Sequence, residues 1–124
     1  MPAANVERIT ERLNSLRAAT PGAEAAAVVS VEGLLIAAAL PDDMSARRIG
    51  AMSAAMLALG ERIASELGRG ELEQVFIKGQ AGYVLLQGLD EERLLTVLAS
   101  ADAKLGLLFL DMRAARQDLR ELLT

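Results

Sequence analysis

Apolar residues recur along this chain with two different periods, and the switches between them mark out its elements. Val6, Ile9, Leu13 and Leu16 are spaced by three and four, with Glu7, Arg8, Glu11 and Arg12 between them, which predicts an amphipathic helix with one buried stripe. Pro21-Gly22 ends it. Two nearly continuous apolar runs follow, Ala25 to Val31 and Leu34 to Leu40, separated by Glu32-Gly33. Runs of strand length around a two-residue turn with glycine second predict a tight hairpin, the glycine supplying a positive φ. The scarcity of polar alternation predicts strands covered on both faces. Pro41 to Ser45 closes the second strand and offers several helix caps.

The segment from Ser45 to Leu67 is the most informative. Between Ile49 and Gly60 it carries no charge, yet twelve helical residues span only ~18 Å, well short of the ~30 Å of a bilayer core. On a helical wheel Ile49, Met52, Met56, Ile63 and Leu67 share a face, with Leu59 at its edge. That face is expected to lie on a sheet. The opposite face carries Arg47, Ala51, Ala54, Ala58, Arg62 and Ser65, mostly small residues where a solvated helix normally places Lys, Glu and Arg. A helix apolar on both sides needs a second cover, so this small-residue ridge is expected to meet a second copy or another protein. High helix propensity of alanine is the simpler explanation of the same ridge.

Gly68 stands where a left-handed helix cap belongs. Beyond it Glu71 to Lys78 alternates, with Leu72, Val75 and Ile77 on one side and Phe76 on the other, predicting an edge strand with polar ends. Gly79-Gln80-Ala81-Gly82 predicts a second hairpin leading into Tyr83 to Gln87. Leu94 to Ala99 is a fifth strand, expected at the centre of the sheet. A last helix is expected to start near Asp102 as its N-cap, burying Leu105, Leu108, Phe109, Met112, Leu119 and Leu122 or Leu123. Helices and hairpin-linked strands in the order α-β-β-α-β-β-β-α predict an α+β domain built on an antiparallel sheet, a single unit spanning residues 1–124.

Composition narrows the chemistry. The 124 residues include 23 Ala and 22 Leu but only three aromatic residues, no Cys and no His. Thiolate and imidazole chemistry, and with them most metal sites and triad hydrolases, are thereby excluded. The serines have no base to activate them, and the glycines form no phosphate-binding loop, because no Gly-Lys-Ser/Thr occurs. Asp42-Asp43 lacks the further oxygen ligands a cation needs and is expected to serve as a cap. No cofactor and no metal are therefore expected. A formal net charge of −4, with Arg47-Arg48 the longest basic run, argues against nucleic acid and against membrane insertion. Charges at Glu7 and Arg8 break up any signal peptide, and the expected location is cytoplasmic.

Together, Ala27 to Ala37 after Pro21-Gly22, Ala54 to Arg62, Gly68-Arg69-Gly70-Glu71-Leu72-Glu73-Gln74-Val75, Gly82 to Leu86 and Ala103 to Leu108 resemble the roadblock domains of the dynein light-chain and MglB family. The resemblance covers nearly the whole chain in order. It implies a five-stranded antiparallel sheet with the long second helix on one face and the terminal helices on the other. It further implies a homodimer formed by second helices side by side and third strands edge to edge, with Met52, Ala55 and Leu59 of the helix and Leu72, Gln74 and Phe76 of the strand in the interface. For the MglB-like branch it implies a regulator of a small Ras-like GTPase, without catalysis of its own, that docks on Arg47, Ala51, Ala54, Ala58 and Arg62. Arg47 and Arg48 would then be rim charges rather than arginine fingers. A passive scaffold with no effect on hydrolysis is the alternative, and a sensory domain with a sheet–helix ligand pocket a weaker one.

Overall fold

In the computed structural model the backbone is described from Ala3 to Thr124 and side chains from Asn5 onward; Met1-Pro2 of the expected leaderless N-terminus lies outside the described residues. The elements are α1 (Ala3–Ala19), β1 (Ala23–Ser30), β2 (Leu35–Ala39), α2 (Ala46–Glu66), β3 (Val75–Gly79), β4 (Gly82–Gly88), β5 (Arg93–Ser100) and α3 (Leu105–Leu123). The strands form one antiparallel sheet in the order β2-β1-β5-β4-β3. β5 is central, as its unbroken apolarity predicts, and β3 is an edge.

The alternation of side chains across each strand splits the apolar residues into two layers. Ala26, Val28, Leu85, Leu95 and Val97 join Ile9, Leu13 and Leu16 of α1 and Leu108, Met112 and Leu119 of α3 in the larger cluster. The smaller cluster joins Ala27, Val29, Leu86 and Leu94 of the sheet to Ala54 and Leu57 of α2. The terminal helices thus share one face and α2 takes the other, the arrangement the resemblance implies. Val28 and Val29 are each fully buried, so β1 is covered on both sides. The stripes expected for α1 and α3 are those that pack inward, with Ala115 added to the latter.

Three boundaries differ from expectation. The first hairpin is closed by four residues, Val31 to Leu34, because the N–H of Ser30 donates to the carbonyl of Leu34 (2.8 Å) and the N–H of Val31 donates instead to the carbonyl of Glu92 (2.8 Å). Gly33 still supplies the positive φ, +94°. β3 begins at Val75 rather than Glu71, since Leu72 turns inward towards Gly60 of α2. α3 begins at Leu105 with Lys104 at the cap position; Asp102 is occupied by the hydroxyl of Ser100, which donates to it at 2.6 Å.

The termini of α2 are well determined. Ser45 Oγ accepts from the N–H of Arg48 (3.3 Å) at the N-terminus. At the other end the N–H of Arg69 donates to the carbonyl of Ala64 (2.7 Å) and that of Gly68 to Ser65 (3.2 Å), the paired bonds of a Schellman cap with Gly68 at φ +67°.

Two substitutions test the packing. A Cβ on Gly50 would lie 2.7 Å from the carbonyl oxygen of Gly33, so Gly50→Ala, which on an open helix would gain up to ~1 kcal/mol, is expected to lose about 1–3 kcal/mol in chemical denaturation. The hydroxyl of Thr96, a residue 1% exposed on β5, has no hydrogen-bond partner. Replacing it with valine keeps the shape and removes an unsatisfied polar group, so Thr96→Val is expected to raise stability by about 1 kcal/mol in the same measurement.

Candidate protein-interaction site

The outer surface of α2 differs from the expected one in a specific way. The face turned to the sheet consists of Ile49, Gly50, Ser53, Ala54, Leu57 and Ala64, and apart from Ile49 and Leu57 these are small. The sheet beneath supplies bulk through Val29, Leu86 and Leu94. Close packing needs the two surfaces to sum to a fixed thickness, so small helix residues opposite large strand residues seat the helix deeply. Gly50 lies against the backbone of Gly33, and Gly60 against Val75 and Leu72. The small residues that meet the chain's own sheet are Gly50, Ser53, Ala54 and Ala64, of which only Ala54 belongs to the expected ridge; Ala51, Ala58 and Ser65 stay exposed.

The large apolar residues are correspondingly left outside. Met52 is 58% exposed, Leu59 50% and Ile63 49%, with Met56 half-buried between them. The helical wheel places these residues on the sheet, whereas the resemblance places Met52 and Leu59 in a dimer interface; their exposure follows from the deeper seating of the small face. Their spacing of four, three and four is that of a coiled-coil seam, a pattern suited to packing against another helix. Ala55 is exposed beside this seam.

The expected partner-docking residues are divided by the same rotation. Arg47, Ala51, Ala58 and Arg62 are exposed, and Arg62 donates through Nε to Glu66 at 3.1 Å. Ala54 is only 7% exposed and belongs to the core beneath the helix, so it is unavailable to a partner. Of the expected strand contacts, Phe76 is exposed on β3 and stacks edge-on with Phe109 of α3, ring centroids 6.1 Å apart. Gln74 is exposed but precedes the strand, and Leu72 is half-buried under α2. Ile77, on the α2 side of β3, is also exposed, a residue the sequence placed on the strand but not in the interface.

Among the described residues no three His, Cys, Asp or Glu side chains gather where they could hold a metal, and no helix is long and apolar enough to cross a membrane. Tyr83 is half-buried on β4. The perturbed carboxylates serve turns. Burial alone would raise the pKa of Asp90, but hydrogen bonds from the Arg93 side chain and the Glu92 N–H, with the Arg93 charge, outweigh it and hold the carboxyl below its ordinary value. Asp102 is lowered chiefly by the hydroxyl of Ser100.

Residues 9–99 match the family model described as Roadblock/LC7 domain. The chain belongs to the Roadblock/LC7 family. An uncharacterised protein of Methanocaldococcus jannaschii is 36% identical over 115 residues, 93% of this chain and 96% of that protein. The fold is similar to that of a Roadblock/LC7 domain from Streptomyces avermitilis (TM-score 0.87, 22% identity, 92% of this chain and 96% of that one). It is equally similar to the gliding protein MglB from Thermus thermophilus (TM-score 0.87, 20% identity, 98% and 93%). These likenesses agree with the roadblock architecture and MglB-like shape that the sequence suggests.

Two alanines four residues apart distinguish the observed seating of α2 from the expected one. Ala54→Arg is expected to cost about 3–5 kcal/mol in unfolding measurements, because it buries an unpaired charge in a filled layer. Ala58→Arg, on the exposed flank, is expected to stay within about 0.5 kcal/mol of the parent.

Proposed function

We propose that this roadblock protein is a homodimeric, non-catalytic regulator of a small Ras-like GTPase. The observation that carries the reading is the α2 seam of Met52, Met56, Leu59 and Ile63, whose three large exposed members give a lone domain an apolar stripe with no intramolecular use. Burial of the remaining exposed half of such residues against a partner is worth about 1 kcal/mol each, and the heptad-like spacing favours the same helix of a second copy. The edge strand β3 supports the same partner. Its backbone groups on the outer side are open to pairing, and Phe76 and Ile77 leave apolar surface on both sides of it. Open edges of this kind are normally covered or charged, and Lys78 is the one charge the strand carries.

With the seams joined, the flank of each α2 formed by Arg47, Ala51, Ala58 and Arg62 stays outward. Its small side chains let a partner's backbone approach, and its arginines offer charge at the rim. Docking there would bias the partner towards one nucleotide state through differential contacts with its two conformations. The likeness to MglB gives this partner class its weight. A scaffold role on the same surfaces, without any effect on hydrolysis, is the second reading.

The test separates the two surfaces. Light scattering of Met52→Glu/Leu59→Glu/Ile63→Glu is expected to give a folded monomer where the parent is a dimer. Ala51→Arg/Ala58→Arg is expected to stay dimeric and lose capture of the Ras-like GTPase from the same organism. GTP turnover by that GTPase with and without the parent protein distinguishes regulator from scaffold. A parent that is monomeric at tens of micromolar, or a capture that survives the double arginine substitution, would overturn the assignment.

A further inference from the structure

The turn between β1 and β2 carries three apolar side chains that belong to neither layer of the core. Leu34 is 65% exposed, and Val31 and Leu35 are exposed beside it. Hydrogen bonds hold the turn in this form. The N–H groups of Ser30, Val31 and Gly33 donate to the carbonyls of Leu34, Glu92 and Ser30 (2.8, 2.8 and 2.9 Å). That of Leu34 donates to Ser30 Oγ at 3.1 Å. Behind the turn, Gly33 is braced by the backbone of α2 at Gly50 and Ala51. The leucines are thus fixed facing water by a bonded backbone rather than left there by a loose loop.

The turn also runs along one particular flank of α2. A Cβ built on Gly33 would lie 3.3 Å from Cα of Ala51. Leu35 pairs with Val29, whose side chain packs under α2, so Leu35 projects to the α2 side of the sheet. Val31 borders a groove with Leu57, Glu61 and Ser65, further along the same helix. At 100° per residue, Ala51 and Ala58 lie on this flank and Gly60 on the opposite one, where it meets Val75 and Leu72 next to β3. The crest of Met52, Leu59 and Ile63 runs between the two. The small flank of α2 is therefore bounded on its outer side by the leucines of the turn.

From this we infer that the β1–β2 turn is the anchoring half of the partner-docking surface, with Leu34 and Leu35 gripping a bulky apolar side chain of the GTPase that docks on the α2 flank. The inference rests on that reading of the flank and adds the residues that supply its affinity. Alanines let a partner come close but release little apolar area themselves. Binding energy concentrates in a few large side chains, and on this side of α2 the turn holds them. Because their backbone is already bonded in place, ordering them on binding costs little. Charge selects nothing here, since Glu32 in the turn and Arg47 on the helix are both exposed and opposite in sign. Apolar fit does. A second copy seated on the crest and on β3 lies to the other side of the helix, which leaves the turn for the partner.

The test is a titration of the purified Ras-like GTPase from the same organism, loaded with a fluorescent non-hydrolysable GTP analogue, with the full chain, followed by anisotropy. Leu34→Asp is expected to weaken binding about tenfold or more, and Leu35→Thr, which keeps a strand-forming residue, severalfold. Leu34→Met is expected to stay within about twofold of the parent, as is Leu110→Asp, a comparably exposed leucine on α3. Circular dichroism and light scattering are expected to find each variant folded and dimeric. If Leu34→Asp and Leu35→Thr bind like the parent while Ala51→Arg/Ala58→Arg does not, the role of the turn is overturned and the flank stands. If all three bind like the parent, or the parent itself does not bind, the GTPase reading falls and the turn with it. A monomeric Leu34→Asp would place the turn in the contact between copies and overturn the proposal.

Discussion

The close seating of α2 on the sheet governs the rest of this molecule. Gly50 meets the backbone of Gly33 where an added Cβ would clash, and Gly60 packs closely against the side chains of Val75 and Leu72. Between these two contacts only Leu57 among the large residues is fully driven into the layer. The depth of that seat fixes the rotation of the helix, and the rotation decides which residues are structural and which are offered outward. A helix held one side chain further from the sheet would have to turn its methionines inward to fill the gap, and the molecule would lose its exposed seam.

This interaction also explains why the sequence was legible for α1 and α3 and misleading for α2. Each terminal helix has one apolar stripe and one charged face, so periodicity alone assigns Ile9, Leu13, Leu108, Met112 and Leu119 to the core. α2 has two uncharged faces, and hydrophobicity favours the one bearing Met52 and Ile63. The outcome is set by the volumes of Val29, Leu86 and Leu94 on three different strands, which no local window contains. The need for a second cover was readable from the missing charges; periodicity did not identify the face requiring it, although the resemblance named Met52, Ala55 and Leu59 on that face. Similar non-local effects moved two boundaries. Leu72 alternates correctly for a strand, yet Gly60 leaves a place for it under the helix. Asp102 has the chemistry of an N-cap, yet Ser100 reaches it first.

The polar groups follow a division of labour of their own. Arg12 with Asp118 at 2.7 Å and Thr20 with Asp111 at 2.6 Å tie α1 and the residue beyond it to α3, while Arg93 with Asp90 closes the β4–β5 turn. Those ties use carboxylates on the α1 side of α3 and in the turn. That the Oε1 of Gln87 is buried without a donor was invisible in the sequence, because an orphaned acceptor is a property of assembled neighbours rather than of a residue type.

The order of the strands bears on how the chain is made. β1 pairs with β2 only a few residues away, but its other neighbour is β5, with Ser30 opposite Arg93 and Ala23 opposite Ala99. The central strand therefore leaves the ribosome roughly seventy residues after the strand it completes, and contacts that span so much chain form slowly. Until then the bare edge of β1 and the stripe of α1 are without their proper neighbours, since α3 is synthesised later still. The nascent chain thus carries a sticky half-sheet for most of its synthesis, and the shortness of β2, five small or aliphatic residues followed at once by Leu40-Pro41, limits what that half-sheet can recruit.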